Sequence, residues 1–68
     1  MKVKELVTYP YFVFRRDTYK DEYVYCGFSF QEDAEEFMGL DYARMNYNYP
    51  VHEPRYVYGY VDGDEEVK

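Results

Sequence analysis

Along residues 11–15 two sets of side chains alternate: Tyr11, Val13 and Arg15 against Phe12 and Phe14. A period of two is the mark of a half-buried strand. Pro10 precedes the run, at a strand start or on an edge, where a missing N–H does least harm. The polar run Arg16–Glu22 predicts a turn. Alternation then resumes, with Tyr23, Tyr25 and Gly27 against Val24, Cys26 and Phe28. Two such runs joined by a short polar loop predict a β-hairpin. A short strand over Lys2–Thr8 is an alternative reading of the start of the chain.

The period then changes. Ser29-Phe30-Gln31-Glu32 fits a capping box, with serine at the N-cap and glutamate three residues on. Phe30, Ala34, Phe37 and Met38 recur at helical spacing, with Glu32, Asp33, Glu35 and Glu36 mostly on the other side. Gly39 reads as a stop, followed by Leu40 as the usual hydrophobic contact of a glycine cap. The helix is therefore expected over about residues 30–38, with one more helical turn possible over 41–45. Residues 46–54, with Pro50 and Pro54, read as loop. Tyr56, Tyr58 and Tyr60 then alternate with Val57, Gly59 and Val61 as a third strand.

The order is β-β-α-β. It predicts a small α+β fold: a three-stranded antiparallel sheet, the last strand beside the first, with one helix packed on one face. One domain is expected over residues 1–61, followed by an acidic, solvated tail over 62–68. Two faces follow from the alternation. Phe12, Phe14, Val24, Cys26, Phe28, Val57 and Val61 lack hydroxyls and are expected under the helix. Tyr11, Val13, Tyr23, Tyr25, Tyr56, Tyr58 and Tyr60 would then form an open tyrosine face. Large exposed aromatic patches mark interaction sites, and tyrosine suits the role with a rigid ring and a wettable hydroxyl. The plainer reading is scaffolding, since cross-strand aromatic pairs stabilise small sheets.

Composition sharpens this picture. The 68 residues hold 11 Tyr and 5 Phe, one cysteine (Cys26) and one histidine (His52). A chain this short buries little surface, and here neither a disulfide nor a zinc site is on hand to staple it. Aromatic burial, or self-association, has to carry the fold.

Fourteen acidic against eight basic residues give a formal charge of −6. That excess argues against a phosphate backbone or an anionic membrane as partner, because both are held by Lys and Arg. It favours a basic partner, or solubility alone. Stacking of bases on the tyrosines is disfavoured by the same scarcity of cations. Residues 1–8 show no hydrophobic leader and no apolar run is long enough to span a membrane, which predicts a cytoplasmic protein, in a host's cytoplasm if the gene is viral.

Catalytic patterns are sparse. Gly27, Gly39, Gly59 and Gly63 stand alone, without a phosphate-cradling loop. Ser29 is better used as a cap than as a nucleophile. Cys26 and His52 are a conceivable thiolate pair, but a cysteine on a core face behaves as a small hydrophobe. No enzyme, cofactor or metal is expected.

Two functions remain. The first is an inhibitor or modulator engaging a basic nucleic-acid-binding site on another protein. Its carboxylates would imitate a nucleic-acid backbone: Asp17, Asp21 and Glu22 in the hairpin loop, Glu32, Asp33, Glu35 and Glu36 on the helix, and Asp62, Asp64, Glu65 and Glu66 at the end. Small acidic phage proteins directed against host nucleic-acid enzymes, such as anti-restriction and anti-CRISPR proteins, share this size and charge, although no motif links them to this chain. The second is a homo-oligomeric assembly module, a dimer for instance, using Tyr11, Tyr23, Tyr25, Tyr56, Tyr58 and Tyr60.

Overall fold

The computed structural model describes all residues, Met1–Lys68. Three antiparallel strands form the sheet: β1 (Tyr11–Asp17), β2 (Glu22–Phe28) and β3 (Tyr56–Tyr60), in the order β2-β1-β3. One turn of helix, α1 (Val3–Leu6), precedes them, and the long helix α2 (Gln31–Met45) lies between β2 and β3. The α+β fold, the β-β-α-β order and the place of the last strand beside the first are as the alternation predicts.

The hairpin closes through Thr18–Asp21. Asp17 Oδ1 accepts the Tyr19 and Lys20 amides at 3.0 and 3.3 Å, folding the chain back on itself. Asp21 completes the turn at φ 54°, a left-handed conformation that aspartate tolerates better than most residues. Four loop residues lie between the paired Asp17 and Glu22. That even count decides which side chains share a face. It sets Tyr11, Val13 and Arg15 opposite Phe28, Cys26 and Val24, and Phe14 and Arg16 opposite Tyr25 and Tyr23. On the other side of β1, Val13, Arg15 and Asp17 face Tyr60, Tyr58 and Tyr56.

The face assignment expected from the sequence is therefore corrected. Tyr11, Val13, Tyr56, Tyr58 and Tyr60 do belong together, but they share their face with Val24, Cys26 and Phe28. That face lies under α2. The Phe37 ring packs on Phe28 at 5.3 Å and on Tyr58 at 5.6 Å between centroids, and Tyr42 meets Tyr58 at 6.0 Å. Phe12, Phe14, Tyr23, Tyr25 and Val57 are on the opposite face.

The helix is longer than expected and begins differently. Phe30, not Ser29, is its N-cap, without a side-chain cap, and Phe30 is exposed rather than packed. The helix also runs through Gly39 to Met45. The reason is the inner face: Ala34, Phe37, Met38, Asp41, Tyr42 and Met45 keep helical spacing on both sides of the glycine, and all are buried or half-buried. Packing along the whole stripe outweighs the roughly 1 kcal/mol that a helical glycine costs relative to alanine.

The termini form a second layer, against the expectation of a solvated tail and of a strand over Lys2–Thr8. The Val3 and Lys4 amides donate to the Glu65 and Gly63 carbonyls at 3.0 and 2.9 Å, and the Val67 amide donates to Met1 at 2.9 Å. Val3 is fully buried there. A side chain at Gly63 would meet Phe12 at 3.1 Å, and one at Gly27 would overlap Val7 at 2.2 Å. The absence of side chains lets this layer lie against the sheet. It covers the Phe12–Gly27 end, and Lys68 reaches the Tyr23 ring at the other end. Only Val3, Val13 and Ala34 are fully buried apolar residues. The fold therefore depends on half-buried aromatic contacts.

Candidate protein-binding surfaces

Two polar knots hold α2 and the loop before β3 to the sheet. In the first, Tyr58 Oη and Arg15 Nη1 donate to Asp41 Oδ2, the latter at 3.3 Å, while Arg44 Nη2 reaches Asp41 Oδ1 at 2.9 Å. Burial pushes the Asp41 carboxyl up, but the bonds from Tyr58 and Arg15 outweigh it, leaving it below the ordinary carboxylate range. Burial, and then the neighbouring carboxylate, push the Tyr58 phenol well above its usual value.

In the second knot, Arg55 Nη2 donates to Asp17 Oδ2 at 3.2 Å, and its Nη1 to Tyr49 Oη at 3.3 Å. The Arg15 and Arg55 guanidinium carbons each lie 5.4 Å from the Tyr56 ring centroid. Asn46 completes the frame. Its amide donates to the Tyr56 carbonyl and accepts the Tyr56 N–H, both at 2.8 Å. No buried side-chain polar atom is left without a partner.

These knots decide which carboxylates remain available. Asp17 is only 8% exposed and is committed to Arg55, so it is removed from the proposed contact set. Asp21 is exposed but pairs with Arg16 at 3.1 Å. Asp64 pairs with Lys4 at 2.7 Å and lies 3.8 Å from Lys2, and Glu66 holds the terminal amine at 3.0 Å. Glu22, Asp62 and Glu65 are exposed and outside any ion pair. So are Glu32, Asp33, Glu35 and Glu36, all within the first turns of α2. Six of the eight Lys and Arg residues are used in ion pairs, leaving Lys20 and Lys68. The helix carboxylates are thus the densest run of uncompensated charge on the surface. Beside them a shallow depression is lined by Asp33, Glu36, Phe37, Leu40, Asp41 and Arg44.

The tyrosines divide into two groups. Tyr11, Tyr56, Tyr58 and Tyr60 lie on the helix side, where Tyr11 and Tyr60 stay exposed at the margin. Tyr23 and Tyr25 stack on the other face at 6.3 Å with planes 15° apart, and Phe14 lies 6.0 Å from Tyr23. Arg16 and Lys68 approach the Tyr23 ring at 5.9 and 5.4 Å. The single tyrosine face is therefore corrected to two separate patches.

Cys26 is half-buried on the helix side of β2, and desolvation raises its thiol pKa, which disfavours the thiolate. His52 is exposed in the loop before β3 and lines a separate hollow with Thr18, Tyr19 and Glu53. No three His, Cys, Asp or Glu side chains converge as metal ligands. No helix is long and apolar enough to cross a membrane.

Asp41, Asn46 and the two core-facing arginines were missed as structural centres by sequence reasoning. The available signal was Asp41 itself: once the helix continues past Gly39, it is a charged residue at a core position and requires a buried partner. Comparison of the chain with protein-family models, curated proteins and solved structures gives no match.

Proposed function

We propose that this chain is a non-enzymatic protein-binding module, a small acidic inhibitor or modulator that offers its α2 carboxylates to a basic nucleic-acid-binding site on a cytoplasmic partner. The observation that carries the reading is the quartet Glu32, Asp33, Glu35 and Glu36, the densest run of carboxylates without an ion pair, whereas Asp17, Asp21, Asp41, Asp64 and Glu66 are paired internally. With a rise of about 1.5 Å per residue, those four charges give one per roughly 1.9 Å of helix axis. Duplex DNA carries one per about 1.7 Å. A cationic groove shaped for phosphates would meet a similar charge density. The helix is anchored by Asp41 and Asn46, so little ordering is needed on contact, and opposite charges steer the encounter.

The test is capture of partners from host extract by the immobilised protein, followed by affinity measurement with the purified partner. The reading expects a nucleic-acid-binding protein, displaced by excess duplex DNA, with affinity falling steeply from low to high salt. Replacing the quartet by Gln and Asn should abolish capture without unfolding the chain. A partner held equally well at low and high salt, or by the neutralised variant, would refute the reading.

A further inference from the structure

The two edges of the sheet are not equivalent. The Thr18 amide bonds the Arg55 carbonyl and the Val61 amide bonds the Phe12 carbonyl, so the even-numbered residues of β1 point their backbone groups toward β3. Alternation along an antiparallel ladder then directs odd-numbered β1 residues to β2. With the observed register, Glu22, Val24, Cys26 and Phe28 bond inward, while the N–H and C=O groups of Tyr23, Tyr25 and Gly27 point out from the free edge of β2. None of them meets another backbone or side-chain partner.

The β3 edge is partly closed, with only the outward groups of Tyr58 and Tyr60 left free. It is shorter, and the Asn46 amide occupies both outward groups of Tyr56. Edge strands are normally guarded by Lys, Pro, a bulge or a covering element. Between Tyr23 and Phe28 there is no charged residue and no proline, and the β1–β2 register is unbroken.

We propose that the free edge of β2 binds β2 of a second copy of this chain, antiparallel about a two-fold axis at Tyr25, making a continuous six-stranded sheet. The strand is self-complementary in this register. Tyr25 faces its own counterpart, and Tyr23 faces Gly27 of the second copy. All outward groups pair with outward groups, giving about six backbone hydrogen bonds. Over that glycine the Tyr23 ring would meet Val7 and Tyr9 of the second copy, which already fill the space a side chain would take. Charge is compatible as well. The Tyr23–Phe28 segment is uncharged, and in this register Glu22, the one unpaired carboxylate on β2, falls opposite Phe28 of the second copy, so no two acids of the paired strands face each other. A second copy also suits a fold with so few fully buried apolar residues. This dimer uses the strand edge and is independent of the acidic helix.

Light scattering on the full chain, with residue-resolved hydrogen exchange, tests it. The expected mass is twice 8.4 kDa, with slow exchange at the Tyr23, Tyr25 and Gly27 amides that becomes fast on dilution. Tyr25→Pro removes an outward N–H from each copy while sparing the β1–β2 ladder. At about 1 kcal/mol per lost bond, dimerisation should weaken roughly 30-fold. Tyr25→Lys sets like charges face to face across the axis and should also give a monomer, which keeps the test open if the proline variant does not fold. Neutralising Glu32, Asp33, Glu35 and Glu36 should leave the dimer intact, separating this outcome from failure of the acidic contact. A monomer at every concentration, a dimer that survives both Tyr25 variants, or fast-exchanging β2 amides within a dimer would each overturn it. Protection that arises only when an extended peptide is added would replace the second copy with a foreign strand.

Discussion

Asp41 stands where helical spacing asks for an apolar side chain, and its surroundings are built to keep it ionised. The depressed carboxyl favours folding above the unfolded value of about 3.9, and that contribution is lost as pH falls through the lower folded value. Asp17 behaves alike: desolvation raises it, and the bonds from Arg55 and the Tyr19 and Lys20 amides more than reverse the effect. Tyr58 has the opposite sign. Its raised phenol contributes fully below about pH 10 and loses that contribution as pH climbs beyond. Urea midpoints should therefore be level near neutrality and fall on both sides. Asp41→Asn should make the acid fall shallower, and Tyr58→Phe the alkaline one; unchanged slopes would remove the knot from the account. Asn46→Ala should cost about 1–3 kcal/mol, read as a lower urea midpoint, because it breaks both bonds to Tyr56. None of these roles shows in local sequence, since Asp41 and Tyr58 are 17 positions apart and meet only through the fold.

Elements were more legible than their limits. The three strands follow from alternation and the helix from its inner stripe, both local in origin. Gly39 misleads because a glycine after an apolar pair resembles a stop, although the stripe resumes at Asp41, Tyr42 and Met45. In the fold Gly39 is exposed mid-helix, and an added Cβ would touch nothing within 4 Å. Gly39→Ala should then raise stability by about 0.5–1 kcal/mol. In a chain this size that is a melting-temperature gain of roughly 2–8 °C. A loss of stability would mean that the position needs glycine for another reason. The hairpin register was hidden in a similar way. Arg16–Glu22 marks a turn, but not how many of its residues are paired, and a shift of one residue exchanges the faces of β2. This is why Tyr23 and Tyr25 parted from Tyr56, Tyr58 and Tyr60.

At the scale of the whole molecule, the termini and the charge distribution matter most. The closing acidic segment looks solvated by composition, yet it is hydrogen-bonded along residues 1–4 and shields Val3 and Phe12. Its acidic side chains remain exposed, while the backbone pairing and the ion pairs of Asp64 and Glu66 escaped the sequence, which carries no local mark of contacts between the two ends. Charge is the reverse case: the excess of acids was plain, while their internal pairing required coordinates. The pairing narrows the acidic surface from eleven candidate residues to the α2 quartet as its densest part. The most direct measurement of that claim is the salt dependence of affinity for a purified partner, with the native helix and with Glu32→Gln, Asp33→Asn, Glu35→Gln and Glu36→Gln combined. A steep loss of affinity with salt is expected for the native chain, and little binding at any salt for the neutralised one. Equal affinities for the two, flat across salt, would contradict it.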